Sequence, residues 1–134
     1  MFGTIVLAIA ALFFLLTAWR SGSAPAEFAA RLGLNIATAG GYNEIRAQYA
    51  GFFLASALVC TASLVGVVPR QAAFMLLIVA FGGLFAGRVV SLVVDGGVAG
   101  YGSTIVGLHA IDAIGLTLAI AALVLEHRAA AGAA

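Results

Sequence analysis

The stretch QAAFMLLIVAFGGLFAGRVVSLVVDGG, residues 71–97, decides the fold. Between Gln71 and Val94 it holds a single charge, Arg88, and a helix rising about 1.5 Å per residue over that length crosses the ~30 Å hydrocarbon core of a bilayer. Asp95-Gly96-Gly97 ends the run. Upstream, Pro69-Arg70 closes a second apolar run from Ala47 to Val68, because proline cannot continue the hydrogen-bond ladder. Downstream, a run from Ser103 to Leu125 meets Glu126-His127-Arg128. The remaining run, Phe2 to Trp19, ends on Trp19-Arg20, an aromatic and a cation suited to the membrane interface. Ala24-Pro25-Ala26 offers small residues for leader cleavage. No Lys or Arg precedes the run, however, and it is longer than a leader core, so it reads as a retained helix.

Composition points the same way. Of 134 residues, 64% are hydrophobic and 8% charged, with a mean hydropathy of +1.20, whereas soluble domains carry about a quarter charged residues. Residues 1–134 read as one all-α domain, an integral membrane four-helix bundle, with spans at about 2–19, 47–68, 71–94 and 103–125. The lipid bilayer is its first partner. The six basic residues are all Arg and lie scattered, so there is no basic tract to hold nucleic acid. Cys60, the single cysteine, sits inside an apolar run and reads as a small buried side chain. An even number of spans puts both termini on one side. Arg20, Arg31 and Arg46 on one face against Arg70 and Arg128 on the other do not decide which side.

Ser21 to Tyr42 is the one sizeable connector. Pro25 suits a first helical turn with Ser23 near the cap, and Phe28, Leu32 and Ile36 recur at helical spacing opposite Glu27 and Arg31. Residues 24–39 therefore read as a short interfacial helix between spans one and two. Gly40-Gly41 is expected to break the chain before the second span.

The polar residues of the spans are expected to converge in one half of the bundle. Glu44, Arg46 and Tyr49 open the second span, while Arg88, Ser91 and Asp95 close the third, with Arg88 about 10 Å inward of Asp95 on nearly the same helix face. His109 and Asp112 share one face of the fourth, about 9 and 13 Å beyond Ser103. A charge near the bilayer centre costs about 2.5–3.5 kcal/mol, so Arg88 needs an acidic partner, with Glu44, Asp95 and Asp112 in reach. These eight residues form the expected polar cluster or ligand pocket. Those near the interface, Glu44, Arg46 and Asp95, suit a role in fixing helix register, whereas His109 and Asp112 suit proton exchange or a polar headgroup. Gly83-x-x-x-Gly87 and the ridge of Ala47, Gly51 and Ala55 read as helix-packing seams. No catalytic motif is complete, no metal site is expected, and His109 and His127 are about 27 Å apart on one helix, too far for a shared haem.

Asn43-Glu44-Ile45-Arg46-Ala47-Gln48-Tyr49-Ala50-Gly51 resembles the Glu-x-Arg-Ala-x-Tyr-Gly-Gly opening of a family of small bacterial four-span membrane proteins of unknown function near the DoxX-like group. Gly87-Arg88-Val89-Val90-Ser91 and Asp95-Gly96 are similar to that family's Gly-Arg-x-x-Ser and Asp-Gly pattern. Ala50 stands where the family tends to have Gly, and His109 with Asp112 where a Glu is expected. The resemblance implies a multi-pass protein of the bacterial inner membrane. Two functions are open: a non-enzymatic accessory or assembly subunit that binds a membrane-protein partner, a second copy or a lipid, and, by analogy with DoxX-like proteins, a quinone- or lipid-handling enzyme subunit exchanging protons at His109 and Asp112. No cofactor is required by the first, and a quinone or lipid belongs to the second.

Overall fold

In a computed structural model that describes residues 1–132, the chain is all helical. Ala133 and Ala134, the end of the Ala-rich tail and of the 1–134 domain, lie outside the described residues. The helices are α1 (Phe2–Ser23), α2 (Pro25–Arg31), α3 (Ala39–Leu64), α4 (Arg70–Val94) and α5 (Ser103–Ala131). All but α2 are long and apolar enough to cross a membrane, which makes this a multi-pass membrane protein. Its outward side chains agree: Leu12 is 58% exposed, Val79 68% and Ile114 58%, the pattern of a surface wetted by lipid.

The helix ends depart from the apolar runs because hydrogen bonds set them. α1 runs past Trp19 to Ser23, since its hydroxyls are absorbed by its own carbonyls: Ser21 donates to Thr17 O at 2.7 Å and Ser23 to Trp19 O at 2.7 Å. Ser23 therefore belongs to α1 and does not cap α2, where Ala24 is the N-cap and Pro25 the first residue. Glu27 in the first turn of α2 and Arg31 in its last complement the helix dipole. The interfacial helix covers only Pro25–Arg31 of the expected 24–39, because Gly33 and Leu34 turn back onto the carbonyls of Ala30 and Ala29.

Gly40 and Gly41 do not break the chain. Thr38 caps α3, its hydroxyl accepting from the Gly41 N–H at 3.2 Å, and both glycines lie in the first turn. A Cβ at Gly41 would stand 2.7 Å from Ile36 Cγ2, so the connector folds tightly onto that turn. From Arg46 to Gly51 the helix widens to a π-helical turn before continuing as an α-helix. It closes at Leu64, short of the expected Val68: Gly66 takes φ +80° and Val67 N–H bonds back to Ala62 O at 2.9 Å.

α1 packs chiefly on α3, and α4 on α5. The two pairs meet on aromatic rings: Phe14, fully buried, lies 5.3 Å from Phe53 and 5.3 Å from Phe81 between ring centroids. Leu7, Cys60, Phe74, Leu77, Ala119 and Ala122 complete the core. At the end of the bundle where α1 begins, the Arg70 guanidinium donates to Thr4 Oγ1 at 3.1 Å and pairs with Glu126 at 3.0 Å, tying α1, α4 and α5 together.

Candidate functional site

At the opposite end of the bundle, a cavity of about 700 Å³ opens between the end of α2 (Arg31 to Gly33), Tyr49 in the π-helical turn of α3, the second half of α4, and α5 with the loop before it. Four elements meet there because α4 presents glycines to it. Gly83 and Gly87 line the cavity, and a Cβ on either would meet nothing within 4 Å, so the structure corrects their reading as a packing seam. The close approach of α4 and α5 falls elsewhere, at Gly115, where a Cβ would lie 2.7 Å from the Phe81 ring. The ridge of Ala47, Gly51 and Ala55 is likewise exposed; Gly51 borders a second, apolar groove of about 480 Å³ beside Trp19, while Phe53, Ser56, Ala57 and Cys60 form the packed face of α3.

Arg88 enters from α4 and pairs through Nε with Asp112 of α5. The Asp112 side chain is 2% exposed and that of Arg88 20%: Arg88 lines the cavity, and Asp112, which does not, is the buried partner behind it. The bond is charge-assisted, and inside an apolar bundle neither group has an alternative partner of equal strength. His109 lies one turn before Asp112. Its Nδ1 is 2.8 Å from Ile105 O, and since a carbonyl only accepts, Nδ1 carries the proton. Nε2 is buried with no partner among the described residues.

Ser91 and Asp95 line the mouth of the cavity with Tyr101, whose hydroxyl donates to Asp95 Oδ2. That bond to a carboxylate, followed by burial and the carboxylate's charge, holds the Tyr101 phenol above the ordinary 10.0. Because the folded value is raised, the contribution of this contact is complete below the ordinary tyrosine range and is lost as pH rises through the elevated value. Asp95→Asn should bring Tyr101 back toward 10.0; tyrosinate absorbance, with Tyr101→Phe to identify the signal, measures it, and an unmoved titration would dismiss the contact.

Tyr49 reaches the cavity half-buried, with Phe28 edge-on at 5.0 Å. Glu44 and Arg46 do not join. Both are exposed, and Arg46 lies over the Tyr42 ring at 5.8 Å. The π-helical turn explains the miss, because one extra residue rotates everything before it by about 100° relative to a regular helix. Arg31, read from the sequence only as part of the polar face of the interfacial helix, and Tyr101, which had no periodic signal, also line the cavity; Tyr101 is brought in by the glycine-rich loop after Asp95. No three His, Cys, Asp or Glu side chains converge among the described residues.

With donors on Arg31, Arg88 and Ser91 beside a bare imidazole nitrogen, the cavity suits a small polar group carried on an apolar body. The family described as a domain of unknown function, DUF4345, matches residues 2–125. The chain belongs to this family. The DUF4345 match covers α1, α3 and α4, α5 as far as Leu125, and every residue named at the cavity. No curated protein and no solved structure matches the chain.

Proposed function

We propose that this DUF4345 protein is a non-enzymatic integral membrane module, an accessory subunit whose cavity seats the polar head of a lipid and whose helix faces are open to a membrane-protein partner or a second copy. One observation carries the reading: Arg88 spends only Nε on Asp112, so its terminal nitrogens, which make no hydrogen bond among the described residues, are available at an open cavity beside His109. A protein whose arginine served helix register alone would have no need of the surrounding space. The membrane proposed is the bacterial inner membrane, with both termini on one side; the contact of Thr4 and Glu126 with Arg70 supports the latter.

The second reading, a quinone- or lipid-handling enzyme subunit of DoxX-like type, is favoured by the free Nε2 of His109, the feature a proton acceptor needs. The engagement of Asp112 with Arg88 weighs against that residue as its proton partner. Native mass spectrometry after mild-detergent extraction separates the two. The expected result is retention of a lipid that is lost in Arg31→Gln with Ser91→Ala. A retained quinone would favour the enzyme reading, and a lipid-free protein would refute the proposal.

A further inference from the structure

We infer that the head received by the cavity carries an O–H group beside an acceptor oxygen, with the O–H donating to His109 Nε2 and the oxygen accepting from the terminal nitrogens of Arg88. This rests on the reading of the cavity as the seat of a lipid head and specifies the chemistry of that head.

The argument starts from the imidazole. With Nδ1–H committed to the Ile105 carbonyl, the neutral ring has one lone pair left, on Nε2, and that atom is buried without a donor among the described residues. An unfilled buried acceptor is costly, so a ligand that supplies a donor there gains more than one that supplies only acceptors. Arg88 makes the complementary demand. Its terminal nitrogens are donors only, and they need an oxygen. His109 and Asp112 stand three residues apart on one face of α5, which sets the imidazole about 5–6 Å from the ion pair at the level of Cβ. One small head can meet both.

Charge narrows the class. Arg31 and Arg88 are matched by Asp95 at the mouth and by Asp112, the buried partner of Arg88, so these side chains leave no surplus positive charge to draw an anion. A phosphate dianion is therefore a poor fit. A lipid alcohol fits, and so does a long-chain carboxylic acid, whose O–H proton passes to His109 Nε2 and leaves its carboxylate to the Arg88 donors, because each brings an exchangeable O–H and an acceptor lone pair at the end of an apolar chain that can lie among the outward leucines and valines. The shared requirement is the O–H.

Methylation tests it, since it removes the donor and leaves an acceptor. The protein, labelled with ¹⁵N-histidine in phosphatidylcholine nanodiscs, is titrated with dodecanoic acid and with dodecanol, each against its methyl derivative. His109 and His127 are the only two histidines, so His127→Gln assigns the signals. The expected outcome is a shift of the His109 Nε2 resonance by the acid, the alcohol or both, with the methylated forms roughly tenfold weaker or worse. Which of the two binds identifies the source of the O–H, and His109→Phe should abolish the preference. Equal binding of the methyl derivatives, or binding that leaves His109 unmoved, overturns the assignment of the head while the lipid-binding reading stands. If none of the four binds, the assignment of the head falls, and the lipid-binding reading falls with it only if the native mass spectrum is also lipid-free.

Discussion

Arg88→Leu is expected to lose most of its folded yield, while Arg88→Leu combined with Asp112→Leu recovers a large part of it. Asp112 has a side chain 2% exposed and its carboxylate is held by Arg88. Removing the guanidinium leaves that carboxyl buried and unpaired, a change that costs about 3–5 kcal/mol in buried pairs. At the lower end of the usual stability of roughly 5–15 kcal/mol, that loss removes most of the margin that keeps the chain folded. Replacing both partners by Leu removes the orphan as well as the pair, and well-packed apolar replacements of buried pairs are often neutral or stabilising. Size-exclusion profiles of detergent-extracted protein read the outcome. A fully stable Arg88→Leu would show that the pair does not support the fold.

The double variant also separates structure from ligand. If the ion pair served only to hold α4 against α5, the doubly substituted protein would fold and keep any bound lipid. On the reading proposed above it folds and loses the lipid, because the donors that face the cavity belong to Arg88. The two roles thus predict the same yield and opposite mass spectra.

What the sequence discloses here depends on the range over which each feature is decided. The spans are legible because an apolar run long enough to cross the bilayer has few other uses. Their ends are not, since Thr38 at one end of α3 and the bond from Val67 to Ala62 at the other are contacts of single groups. Depth counting from the span ends puts Arg88 and Asp112 in the same half of the bundle, and they are indeed paired. The same counting carries Glu44 and Arg46 to the cluster only if the helix is regular, and it widens at Arg46–Gly51. Small residues mislead for a related reason. A Gly-x-x-x-Gly spacing marks a face without a ridge of side chains, but whether a neighbouring helix or an open cavity occupies that face is a tertiary matter. At Gly83 and Gly87 it is the cavity.

Gly115 shows the converse, a glycine in no repeated pattern that the packing requires. A Cβ there would stand 2.7 Å from two atoms of the Phe81 ring and 2.8 Å from a third, and that ring is stacked on Phe14 at the centre of the core, with nowhere to retreat. Gly115→Ala gains up to about 1 kcal/mol of helix propensity, yet overpacking of this kind costs about 1–3 kcal/mol, so a net loss is expected. Gly115→Leu should be far worse, forcing α5 away from α4. Gly87→Ala is the matched control, with the same chemical change in a helix and nothing within 4 Å of the new methyl; it should be neutral or slightly stabilising. Thermal unfolding of the three variants in one detergent gives the order. If Gly87→Ala proved the more damaging, the close seam of the bundle would run along Gly83 and Gly87 after all, and the cavity they line would have to be filled by a neighbouring helix. If instead Gly115→Ala loses stability and the loss disappears in a Phe81→Ala background, the clash between that methyl and that ring is isolated as the cause, because Phe81→Ala removes the Cγ and Cδ atoms that stand nearest to the added methyl.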